Sequence, residues 1–148
     1  MKELVIAVGL LGLAILVALI QPYSPPVPFE TIALGEESGI RTQETLVITD
    51  QAQWETLWQQ HMSYSHNPLP LPQVNFAKEM VIAVFGGIKS EGYMLQITKI
   101  EQGKGRLVVH YTLVGPCCTK CSLPTGMIQP FHIVKLERLE LPVIFRQD

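Results

Sequence analysis

The sequence predicts a mainly β fold of the α+β kind: an antiparallel sheet or small sandwich carrying one packed amphipathic helix, preceded by one N-terminal transmembrane helix. Three observations carry that expectation. Short apolar or alternating runs fill the second half of the chain, and the glycines and prolines, 11 of each, sit mainly between them. One stretch, residues 51–62, repeats its apolar positions at helical spacing instead. And between Leu4 and Ile20 every residue is apolar or glycine.

That opening segment defines the first region, residues 1–20. As a helix rising about 1.5 Å per residue it covers roughly 26 Å, near the short end for a hydrocarbon core of about 30 Å. A soluble amphipathic helix would interrupt it with polar residues every third or fourth position, and none occurs. A cleaved signal peptide needs small residues three and one places before the cut. Val17-Ala18-Leu19-Ile20-Gln21-Pro22 offers no such pair, and a cut after Ser24 would put Pro22 three places before it and Pro25 directly after it. A retained signal anchor is therefore favoured over a cleaved peptide. Lys2 precedes the segment and the first charge after it is Glu30, so the positive-inside rule places the N-terminus in the cytoplasm and the body outside. Expected partners follow: the membrane through Leu4 to Ile20, and another extracytoplasmic protein. With a net charge of −2 and no basic stripe, nucleic acid is not among them.

Residues 21–28 read Gln-Pro-Tyr-Ser-Pro-Pro-Val-Pro, a proline-rich stalk, and the globular domain is expected over 29–148. Strands are predicted at 31–34 and 45–49. Asp50 stands where an N-cap belongs, with Thr49 another candidate, and Trp54, Leu57, Trp58 and His61 mark the inner face of a helix over 51–62. His61 would then sit where a cation favours the helix C-terminus. The loop Asn67-Pro-Leu-Pro-Leu-Pro-Gln73 cannot be helical. Met80-Val-Ile-Ala-Val-Phe85 is uninterrupted and apolar, as a central strand buried on both faces requires. Strands at 93–101 and 107–114 around Gln102-Gly-Lys-Gly105 make a hairpin, and 131–138 and 142–146 supply two more strands. Trp54, Trp58, Tyr93 and Phe131 are the expected structural core.

The order of these motifs, Ser38-Gly39-Ile40, then VITDQAQWETLW, VNFAKEMVIAVFGG, GYMLQITKI and PFHIVKLERLELPVIF, resembles the PrcB-like family, named for an accessory subunit of a bacterial surface protease complex. The resemblance spans residues 38–145. It implies an exported, often membrane- or lipid-attached protein, whose named relative assists a protease rather than cleaving peptides itself, and it brings no catalytic residue with it. The family's Ser-Gly-Gly-Tyr stands here as Ser90-Glu91-Gly92-Tyr93, and the family pattern has no counterpart of the cysteines at 117, 118 and 121.

Those three cysteines fall within five positions of Gly115-Pro-Cys-Cys-Thr-Lys-Cys-Ser-Leu-Pro-Thr-Gly126. In an oxidising exterior the foremost reading is a disulfide, Cys118–Cys121 or Cys117–Cys121, since adjacent Cys117 and Cys118 would pair only with strain. No cofactor is then expected. The alternative is a zinc or copper site, in which thiolates at this spacing are joined by Cys117 or by His110 or His132 from the flanking strands. Thiol exchange through Cys118-Thr-Lys-Cys121 is a further reading, but Pro124 and Gly126 deny the motif its usual helix. Strand histidines such as His110 and His132 are more commonly satisfied or surface residues than ligands. No Gly-x-Ser-x-Gly, His-Glu-x-x-His or phosphate loop is present, and aspartates occur only at 50 and 148, so an enzyme is not expected.

Overall fold

The computed structural model describes residues 23–116 and 126–148. They form β1 (Phe29–Gly35), β2 (Gln43–Ile48), α1 (Gln51–Met62), β3 (Glu79–Gly86), β4 (Lys89–Ser90), β5 (Met94–Gly103), β6 (Arg106–Val114), β7 (Met127–Ile128), β8 (Phe131–Glu137) and β9 (Val143–Gln147). The mainly β architecture with one short helix agrees with the sequence. The apolar segment 4–20 lies outside the described residues, among which no helix is long and apolar enough to cross a membrane.

Three layers stack. A four-stranded antiparallel sheet, in the order β1-β8-β3-β2, separates the helix from a second sheet ordered β5-β6-β9. The four-stranded sheet is therefore covered on both sides. Along β3, Met80, Ile82 and Val84 pack toward the second sheet, whereas Val81, Ala83 and Phe85 pack under the helix. All six are at most 1% exposed, which is why this strand reads as a continuous apolar run rather than an alternating one.

Helix α1 begins where Asp50, in extended conformation, accepts the Gln53 N–H at 2.8 Å. Its buried face is Trp54, Leu57, Trp58 and His61. The two indole N–H groups donate outward, Trp54 to the Pro72 carbonyl at 2.9 Å and Trp58 to the Leu69 carbonyl at 3.0 Å. The proline-rich loop is thus fastened by the polar handles of buried aromatic rings. At the other end, the Gly39 N–H donates to the His61 carbonyl at 2.8 Å. A Cβ on Gly39 would collide with Ser63 Oγ and the Gln60 carbonyl oxygen, so this close approach requires glycine.

The β5–β6 hairpin turns through Lys104 and Gly105, both at positive φ, the pattern that matches the twist of the flanking strands. Its outer edge is occupied by the end of the proline-rich stretch. Gln102 N–H donates to the Pro25 carbonyl at 3.1 Å, Pro26 pairs with Glu101, and Val27 N–H donates to the Ile100 carbonyl at 2.8 Å. Val27 itself is buried in the inter-sheet core. The packed body therefore starts before Phe29, because proline carbonyls still accept hydrogen bonds and the one apolar side chain between the prolines can turn inward. The last strand also departs from a purely antiparallel arrangement. β8 finishes at the end of the molecule where β6 starts, and residues 138–142 cross there to the second sheet. β9 consequently runs parallel to β6.

Candidate functional site

Three of the four histidines, His61, His132 and His110, are buried, and each has a different set of partners. His61 is 1% exposed, among the rings of Trp58, Phe85 and Phe131. Its Nδ1 lies 2.9 Å from Ser38 Oγ, which accepts the Ile40 N–H at 3.1 Å. Fewest buried groups go unpaired if the Ser38 hydroxyl donates to Nδ1, leaving the proton on Nε2, which has no partner. Burial pushes this ring down to about 4, so it is neutral at ordinary pH. It cannot act as a charged partner for the helix C-terminus, contrary to the sequence expectation. Nor is the Ser38–His61 pair a nucleophile and base: no carboxylate orients the ring, and Ser38 is 2% exposed. Its role is to lock Ser38-Gly39-Ile40 to the end of α1.

His132 faces the inter-sheet core. A bulge in β5 between Ile97 and Lys99 frees the Ile97 N–H to donate to His132 Nδ1 at 2.8 Å. Nε2 therefore carries the ring proton and gives it to Thr31 Oγ1 at 2.9 Å. Burial lowers the affinity of this ring for a second proton. His110 lies on the outer face of the second sheet between two acids. Its Nε2 is 3.0 Å from Glu101 Oε2, and its Nδ1 is 3.0 Å from Asp148 Oδ2. Glu101 is kept below the usual carboxylate range, first by Lys99 at 2.9 Å and then by His110. His132 offers no free nitrogen lone pair to a metal ion, since its Nδ1 accepts from Ile97 and its Nε2 donates to Thr31. Among the described residues, no three histidine, cysteine, aspartate or glutamate side chains group as a metal site.

Cys117, Cys118 and Cys121 lie outside the described residues. The chain leaves β6 at Gly115-Pro116, where Tyr93 packs on Gly115, and re-enters at Gly126, whose carbonyl accepts the Glu91 N–H at 3.1 Å. Tyr93, expected in the core with the tryptophans and Phe131, is only half-buried, with the Lys89 ammonium 5.9 Å from its ring centre. Trp54, Trp58 and Phe131 are all buried.

The surface best formed for recognition is the free edge of β1. This strand pairs with β8 on one side and with nothing on the other among the described residues. A shift in register between Thr31 and Ala33 leaves Ile32 without a counterpart in β8. On the helix side, Ile32 and Leu34 join Trp58, Met62, Leu69 and Pro70 around an open groove of about 560 Å³. On the opposite side, where the two sheets part, Leu34 and Glu36 join Tyr93, Met94, Leu95 and Pro130 around a cleft of about 170 Å³. Leu34, 54% exposed, lines both. Edge strand β2 differs, because its apolar groove, between Leu46 and Leu57, lies on the helix side, whereas β1 borders a cleft on each face. The signal in the sequence was present but unreadable alone: apolar residues in a short strand, and leucines spaced by prolines in a loop. Comparison with family profiles, curated proteins and solved structures finds no match to this chain.

Proposed function

We propose that this chain is a membrane-anchored extracytoplasmic domain that binds another protein without catalysis, taking an extended segment of it as an added strand on β1. The observation that carries the reading is the pair of apolar clefts flanking that edge. Successive side chains of a strand point to opposite faces. A strand laid beside β1 would send one set of side chains into the groove under Trp58 and Met62 and the other into the cleft at Tyr93 and Met94. Main-chain bonds to the free edge supply affinity, and the two clefts supply selection. The anchor rests on the apolar segment 4–20 and the stretch that follows it. A protease complex as the partner rests on the PrcB-like resemblance alone.

The test is affinity capture of the intact chain from its own membrane after mild solubilisation. A stoichiometric partner is expected, lost with Leu34→Asp, which sets a carboxylate where the clefts meet, and kept with Ile144→Asp on the exposed face of β9. Recovery of no stoichiometric partner, or equal recovery with Leu34→Asp, would count against the reading.

A further inference from the structure

The way the chain enters the domain fixes which end of the molecule lies nearest a bilayer. Ser24 sits against Gly103, close enough that a Cβ there would lie 2.6 Å from its hydroxyl, and Pro25 and Pro26 are bonded to Gln102 and Glu101. The entering chain is thus tied to the tip of the β5–β6 hairpin. From Ile20, the last residue of the apolar segment, to Ser24 is four residues, a reach of at most about 14 Å. A headgroup layer is about 5–8 Å deep and charges act across about 8 Å of physiological salt. If Ile20 ends a membrane span, Ser24 stands at most about 6–9 Å beyond the headgroup layer, so the hairpin tip stays within reach of the headgroup charges.

The chemistry of that tip suits the position. Lys104, Gly105 and Arg106 are exposed, and neither cation makes an ion pair among the described residues. By contrast, Lys99, Lys135 and Arg138 are each committed to a glutamate. Tyr23, 82% exposed, precedes the tip with the amphipathic ring typical of membrane interfaces.

We infer that the Lys104–Arg106 turn is a foot that rests on anionic phospholipid headgroups and sets the domain upright on the bilayer. This inference rests on the anchor reading of residues 4–20. With the foot down, the hairpin rises its own length, about 30 Å for ten residues. It carries Met94 and Val114 to the end away from the membrane. The far end of β1 is there too, since Leu34 and Met94 share a cleft. The recognition edge is therefore held out toward a partner rather than against lipid.

Hydrogen–deuterium exchange on the full chain tests the foot. The protein is reconstituted in nanodiscs of phosphatidylcholine alone or of equal phosphatidylcholine and phosphatidylglycerol. Two cations at about fivefold each in surface affinity should slow exchange at residues 103–106 by up to about 25-fold in the anionic discs. Exchange at residues 94–96 should not change. Lys104→Asn with Arg106→Gln should remove the lipid dependence while leaving the positive-φ turn intact, since asparagine tolerates that conformation. Equal exchange in both lipids, or a lipid effect that survives the double substitution, overturns the foot. Failure of the chain to co-float with either bilayer overturns the anchor itself, and the foot with it.

Discussion

The ring of His61 makes the stability of this domain depend on pH, with a sign and a size that follow from where it sits. In the unfolded chain it takes up a proton near 6.5, and in the folded chain only at about 4, because charging it means placing an imidazolium among aromatic rings. Between those values the unfolded state binds more protons than the folded one. Stability therefore rises with pH across this window. It is fully present above about 6.5, is lost as the pH falls toward 4, and changes no further from this cause below that. At about 1.4 kcal/mol per pH unit, the gap of 2.5 units amounts to about 3 kcal/mol, a large share of the 5–15 kcal/mol typical of a domain. His132, lowered by burial as well, adds in the same direction. Trp54 and Trp58 are buried fluorophores, so urea unfolding followed by their emission at pH 7.5, 6.5, 5.5 and 4.5 reads the effect. His61→Phe keeps an aromatic ring in the cluster and removes the titration; its midpoint should fall less steeply over the same range. A flat profile in the unaltered chain, or an unchanged slope in His61→Phe, would refute the reasoning.

Two further substitutions probe the helix and its attachment. Gly39→Ala should destabilise the domain by about 1–3 kcal/mol in the same urea assay, and Ser63→Ala should not restore it. The second obstacle to a Cβ, the Gln60 carbonyl, is backbone and remains. Asp50→Ala removes the acceptor for the Gln53 N–H and should cost about 1 kcal/mol, which Asp50→Ser should largely recover. A loss under Asp50→Ser equal to that under Asp50→Ala would show that the cap is not what the side chain provides.

Local pattern by itself determined a good deal here. Helix α1 and its N-cap follow from Asp50 and the spacing of Trp54, Leu57, Trp58 and His61, because a helix repeats every 3.6 residues whatever it packs against. The two-faced burial of β3 follows from its unbroken apolar run, and the β5–β6 turn from its glycines. What only the tertiary structure decided concerns residues whose meaning depends on distant partners. Nothing near His132 in sequence announces the Ile97 N–H, which is available only because β5 bulges 35 residues earlier. His110 looked like an ordinary strand histidine until β9 ran parallel beside β6 and brought Asp148 against it. Val27 read as part of a stalk, and its burial depends on the edge of β5 being free to receive it. The free edge of β1, proposed above for recognition, was least legible of all. An edge is a property of sheet order, and sheet order is set by long-range packing, which leaves no local periodicity in the strand that ends up outermost.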